Sequence, residues 1–301
     1  MTKSATPFAR WTPLEPFTWS FQVFTEYDRE LMRLWGSHLS STAYTYSQLG
    51  STGAKWTDKP SAHFRADVLP ASFCTDMKDW STAFNAFDNW VNLSVVLTLA
   101  SNLETYVASV VRLALQSDPG VLLGTPRAID GGYALKHKRI GAVDIDAHIE
   151  ACTRGDWNSR LSALQRLFGS SVAGLRAVHS DLDQLRTVRN RFGHAFGRKI
   201  NEARRTGTLD ILPMEKMTRK TAERLRDSVL QATRSFDQEL LTNHIGEYEA
   251  VHFYNHLHPS LKARAHAGQR AQDFKKAIGH HGAQLRGKVY CKGLVQYWDA
   301  L

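Results

Sequence analysis

The sequence predicts an all-α protein, an up-and-down bundle of long helices. Three observations carry this. Residues 71 to 118 and 214 to 245 contain neither proline nor glycine, although the chain holds 9 Pro and 20 Gly, and those two residues are the strongest interrupters of a helix. Within both windows apolar residues recur every three or four positions, which is the helical period. No stretch alternates apolar and polar residues with β-branched enrichment, so strands are at most minor elements.

Residues 1 to 70 hold five of the nine prolines and four of the eight tryptophans, a composition that suits an aromatic extension packed on the bundle. Thr25 and Asp28 can cap a helix there whose inward face is Leu31, Leu34, Trp35 and Leu39. The bundle itself is expected over 71–250. Its first helix presents Trp80, Phe84, Phe87, Val91, Val95, Leu99, Leu103, Val107, Val110 and Ala114 on one side, and Asp118-Pro119-Gly120 stops it. Asp130-Gly131-Gly132 reads as a turn. Short helices follow over 144–153 and 158–168. Ser180-Asp181, good N-cap residues, open a helix carrying Leu182, Leu185, Val188 and Phe192. A closing helix from about 218 carries Ala222, Leu225, Val229, Ala232, Phe236 and Leu240. The remaining 251–301 is a basic helical tail: from 259 to 292 eight Lys and Arg residues stand against Asp273 alone.

The chain carries 38 Lys+Arg against 29 Asp+Glu, a formal charge of +9, which excludes an acidic solvating protein and favours an anionic partner. With 43% hydrophobic and 22% charged residues the composition is that of an ordinary globular protein. Cys74, Cys152 and Cys291 form no C-x-x-C pair, so neither a disulfide framework nor a thiolate zinc site is expected, and a reducing cytoplasm fits best. The N-terminus lacks a secretory apolar run, and the apolar run Val95–Ala100 breaks at Ser101 and Asn102, so no membrane association is expected. His252 and His256 lie one helical turn apart with His258 nearby. No H-E-x-x-H glutamate follows His252, however, and Pro259 is expected to stop the helix, so neither metal nor cofactor is predicted. Nucleotide-binding glycine loops and the esterase nucleophile elbow are absent from the sequence.

The sharpest feature is Arg189-Asn190-Arg191-Phe192-Gly193-His194, with Arg186 before it and Arg198 and Lys199 after. On a helix, Asn190 lies one turn below His194 on nearly the same face, while Arg189 is about 140° round and must reach back. The three offer a group that titrates near neutrality, a forked cation for phosphate and an amide to orient either. They suit metal-independent RNA cleavage, in which an imidazole moves the proton of the 2′-hydroxyl or of the leaving 5′-oxygen and Arg steadies the phosphorane. Arg-Asn-x-x-x-His is expected by chance about 0.03 times in a chain of this composition.

Arg189, Asn190 and His194 resemble the motif of the HEPN superfamily, helical bundles whose ribonuclease members carry Arg, a polar residue and a following His. The resemblance covers residues 71 to 250: a long first helix with Glu104 in Ser101-Asn102-Leu103-Glu104-Thr105-Tyr106, a connection containing Gly155-Asp156-Trp157, the motif helix and the closing helix. The RiboL-PSP-HEPN branch looks closest. The family implies an endoribonuclease acting on RNA, tRNA among the candidates. It leaves 2′,3′-cyclic phosphate and 5′-hydroxyl ends and works as a homodimer whose two motifs share one cleft. It also implies a toxin or phage-defence effector restrained or triggered by a partner. Glu104 would orient Arg189 or His194, or else be a boundary carboxylate paired with any nearby Arg. Arg186, Arg191, Arg198 and Lys199, with Lys275 and Lys276 in the tail, are candidate RNA contacts, and Phe274 and Tyr290 could stack on bases. The competing reading is a HEPN-like module that binds nucleic acid or a protein partner without cutting.

Overall fold

The computed structural model describes residues 7–65, 73–138, 144–195, 214–261, 266–279 and 286–301, with the side chains of 193–195 left out of that description. The described residues form helices and turns and no strand. The helices are α1 (Trp19–Ser51), α2 (Met77–Ser117), α3 (Gly131–Lys136), α4 (Ile145–Thr153), α5 (Trp157–Phe168), α6 (Ala173–Ala177), α7 (His179–Ala195), α8 (Arg219–Leu240), α9 (Tyr248–Leu261), α10 (Ala267–Ile278) and α11 (Lys288–Ala300). The chain divides into two compact units. One comprises Met1–Phe24, Leu103–His179 and Val229–Leu301, the other Thr25–Asn102 and Ser180–Ser228.

In the first unit, Asp144 caps α4 by accepting from the Ala147 N–H at 3.0 Å, and Asp156 caps α5 by accepting from the Ser159 N–H at 2.8 Å. Such carboxylates satisfy N–H groups that have no partner inside the helix. α1 begins at Trp19 and not at Thr25. Its cap is Thr18, whose hydroxyl accepts from the Phe21 N–H at 3.0 Å. Buried Asp237 in turn accepts from the Thr18 N–H at 2.9 Å, the Thr18 hydroxyl at 2.6 Å and the Tyr106 hydroxyl at 3.0 Å. Asp130 is likewise more than a turn residue. It caps α3 and takes hydrogen bonds from Arg10 Nε at 3.0 Å and from the Tyr297 hydroxyl at 2.6 Å. Arg10 is itself buried, with its remaining donors on Ile245 O and on the Ser117 carbonyl and hydroxyl. After α8 the chain makes one π-helical turn, Leu241–Ile245, and leaves it through Gly246 at φ +54°. A Cβ there would meet Arg10 O at 2.3 Å, so only glycine fits.

The basic tail is a core element. α9 runs two residues past Pro259, where the sequence predicts its stop. α10 buries Ala271, Phe274 and Ile278; α11 buries Tyr290, Cys291, Leu294, Val295 and Trp298. These side chains close one cluster with Val251 and Tyr254 of α9. Phe274 and Tyr290 are fully buried and cannot stack on bases, which corrects the expectation from sequence. The lysines lie on the opposite face, so the charge excess coats an ordinary amphipathic pair.

In the second unit, Trp35 of α1 donates its indole N–H to Asn92 Oδ1 at 3.0 Å, and the Asn92 amide donates to Met217 O at 3.3 Å. Leu34, expected inward, is 66% exposed, and Asp28 is buried against Arg226 instead of capping a helix. α2 is long and apolar enough to cross a membrane by length and composition, and half of its most apolar window is buried inside the fold.

Candidate functional site

α7 positions the Arg-Asn-x-x-x-His motif. Leu182, Leu185 and Val188 are buried on its inner face, which fixes the rotation of the helix and leaves Arg189 and Asn190 partly exposed beside that face. Each end is tied down within the second unit. At the N-terminal end the Asp181 carboxylate takes hydrogen bonds from the Ser228 hydroxyl at 2.5 Å and from Arg224, which also donates to Gln184 at 2.8 Å. Burial alone would raise the Asp181 pKa, but the Ser228 hydroxyl and the Arg224 guanidinium outweigh it and hold the carboxyl below its usual range. Toward the C-terminal end Arg191 pairs with Glu215 at 3.2 Å, and the Phe192 ring sits 6.4 Å from that of Trp90. Asn89 of α2 completes the tie. Its amide donates to Glu215 O at 2.9 Å and its carbonyl accepts from the Met217 N–H at 2.7 Å.

On this frame Arg189 Nη1 donates to Asn190 Oδ1 at 3.2 Å. Arg189 and Asn190 are thus brought together, and the contact orients the guanidinium fork. The backbone of His194 is helical, one turn beyond Asn190. Its side chain lies outside the described residues, as do Arg198 and Lys199 entirely. Arg186 pairs with Asp183 at 3.0 Å and Arg191 with Glu215. Both are accessible pairs of the kind worth under about 1 kcal/mol, so either arginine can exchange its carboxylate for a phosphate. Lys275 and Lys276 are exposed in the last turn of α10.

Glu104 belongs to the first unit, whereas Arg189, Asn190 and His194 belong to the second. Glu104 accepts from Arg160 Nη2 at 3.1 Å. Arg160, 5% exposed, also donates to Gly155 O at 3.1 Å and lies 5.1 Å over the Trp157 ring. Gly155-Asp156-Trp157 and Glu104 therefore meet at Arg160, a residue that sequence reasoning did not single out. Because that guanidinium is buried, Glu104→Ala is expected to destabilise the protein by about 2 kcal/mol, measured by urea unfolding. Arg160→Met in the same background should recover part of the loss. A variant as stable as the parent would return Glu104 to a role elsewhere.

Among the described residues no group of three or more His, Cys, Asp and Glu side chains could hold a metal ion. Cys152 and Cys291 are buried, and burial pushes their thiols up to about 12 and about 11. At neutral pH neither is a thiolate nucleophile. Sequence reasoning also missed the aromatic company of α7. Phe87, read as a core position, is 47% exposed and Trp90 38% exposed. Comparison of the chain with protein-family models, with curated proteins and with solved structures finds no match to any of them.

Proposed function

We propose that the protein is a metal-independent endoribonuclease whose reaction is carried by α7. The observation that supports this reading is the Arg189–Asn190 contact on a helix clamped at both ends, with His194 one turn further on. In the proposed reaction the ribose 2′-oxygen attacks the adjacent phosphorus. Its proton goes to a general base, the P–O5′ bond breaks and the departing 5′-oxygen takes a proton from a general acid. His194 serves as one of these groups. Arg189 neutralises the charge that builds on the non-bridging oxygens, and Asn190 holds the guanidinium in place. A second His194 from another copy of the chain supplies the other proton-transfer group, which makes the working unit a homodimer. Cellular RNA, tRNA included, is the proposed substrate, and Arg186, Arg191, Lys275 and Lys276 are the described candidates for backbone contacts.

The test is cleavage of total RNA and of tRNA in EDTA with end-group mapping. The expected products end in a 2′,3′-cyclic phosphate and a 5′-hydroxyl, and DNA, which lacks the 2′-hydroxyl, stays intact. Cleavage of DNA, or 3′-hydroxyl ends, would overturn the mechanism. Tight RNA binding without cleavage would favour the non-catalytic binding module. Light scattering is expected to give twice the monomer mass, and a strict monomer with RNA bound would remove the shared cleft. A nuclease of this kind harms the cell that makes it, so a defence or toxin role under the control of a restraining or triggering partner is part of the proposal. Its check is growth arrest on induction of the parent protein and normal growth on induction of His194→Ala.

A further inference from the structure

Along α2, Trp80, Phe84, Phe87 and Trp90 follow one another at three- and four-residue spacing, so their rings lie on one side of the helix over about 15 Å. Each touches the next. Ring centroids are 5.0 Å apart between Trp80 and Phe84, 6.1 Å between Phe84 and Phe87, and 6.1 Å between Phe87 and Trp90. The row continues onto α7 through the Trp90–Phe192 contact. Its start is sealed, with Trp80 buried against Phe64 and Tyr46. Accessibility rises along the row until Phe87 and Trp90 stand open at its far end. α7 has its two acids, Asp181 and Asp183, in its first turns, and its arginines, Arg186, Arg189 and Arg191, from the middle up to Phe192. Asp88 and Glu215 also lie near the rings, paired with His38 at 2.8 Å and with Arg191 respectively.

An open patch made of aromatic rings and bordered by arginines is the pairing that recognises unstacked bases joined by phosphates. We propose that Phe87, Trp90 and Phe192 are a base-stacking platform for single-stranded RNA, which delivers the strand to the motif on α7. The inference rests on the ribonuclease reading for its purpose and adds the substrate class: unpaired RNA, with a duplex excluded because its bases already stack on one another. Phe87 and Trp90 lie within 17° of parallel at 6.1 Å. A base sandwiched between them would need about 7 Å, two contact distances of about 3.5 Å. The bases therefore lie over the exposed ring faces and not between them.

The experiment titrates the full chain with a fluorescent, unstructured 2′-O-methyl RNA of a dozen nucleotides, which cannot be cut by 2′-oxygen attack, and with the same strand annealed to its complement. The parent protein is expected to prefer the single strand. F87L/W90L keeps apolar bulk but removes the ring faces, and is expected to bind the single strand about a hundredfold more weakly, roughly tenfold for each ring. F87Y/W90F is expected to bind like the parent, and Arg191→Ala to reduce the salt dependence where F87L/W90L does not. Equal affinity for both strand forms would overturn the platform. So would unchanged binding by F87L/W90L, or a change in sedimentation of that variant from dimer to monomer without loss of affinity, which would identify the patch as an interface between copies. Ring-dependent binding by a protein that cuts no RNA leaves the platform standing while the catalytic reading falls. Cleavage that survives F87L/W90L at parental affinity does the reverse.

Discussion

His194→Ala is expected to slow RNA cleavage by about three orders of magnitude, the range that one general acid or base supplies. Arg189→Ala is expected to cost about a hundredfold to a thousandfold, as removal of a preorganised charge at a developing anion does. Arg189→Lys separates charge from shape. It keeps the cation but loses the planar fork that Asn190 Oδ1 holds at 3.2 Å, so it should recover little of the loss. Asn190→Ala removes the amide oxygen that accepts from the guanidinium, and a loss of about tenfold is expected, recovered in part by Asn190→Gln. These losses should appear in kcat with little change in melting temperature, because Arg189 and Asn190 stand partly exposed beside the buried face made by Leu182, Leu185 and Val188. Single-turnover rates on one labelled RNA give the comparison. Parental rates for His194→Ala would remove the residue from the reaction. An equal loss in kcat and in stability for Asn190→Ala would make that residue part of the fold alone.

The helices were legible where their signals are local. Asp144 and Asp156 stand beside the periodic runs of α4 and α5, and α4, α5 and α8 begin within a residue or two of the expected places, whereas α7 begins at His179 and takes in Ser180 and Asp181, whose carboxylate holds Arg224 and Ser228 instead of capping the helix. The start of α1 was misplaced because its cap, Thr18, is fixed by Asp237, more than two hundred residues away, whereas Thr25 and Asp28 mimic a cap locally. In the tail, charge concealed an amphipathic pair. Lys275 and Lys276 are conspicuous, but Phe274 and Ile278 beside them decide what α10 does. At the candidate site the order Arg, Asn, His could be read directly from the chain. The residues that clamp the helix could not, since Arg224, Ser228 and Glu215 acquire their roles only through pairings with residues distant in sequence. Periodicity placed Phe87 inside because it registers where apolar residues recur, not whether a partner covers them.

Stability is expected to fall as pH rises from 5 to 8, and Glu249→Gln is expected to flatten that fall. Burial pushes the Glu249 carboxyl from 4.5 up to about 8, with Asp237 and Glu247 raising it further and the Trp19 N–H and Arg286 opposing. Asp237 is pushed up to about 6, again by burial first, against the hydrogen bonds from Thr18 and Tyr106. For a carboxyl raised in the native state the sign is unambiguous. Between its unfolded and folded values the unfolded chain has already released the proton that the native protein keeps, so unfolding gains with each unit of pH. For Glu249 the window runs from about 4.5 to about 8. Its full shift corresponds to nearly 5 kcal/mol, roughly 1.4 per unit, and the exposure that Glu249 retains screens this to about 3. Glutamine keeps an oxygen for the Trp19 N–H, which Glu249 now holds at 3.0 Å, but has nothing to ionise. The difference in unfolding free energy between Glu249→Gln and the parent should therefore move in the variant's favour by about 3 kcal/mol from pH 5 to pH 8, measured by urea denaturation at each pH. Parallel stability curves for the two proteins would show that the Glu249 carboxylate is accommodated in its charged form, and would leave to Asp237 only the fall below about pH 6.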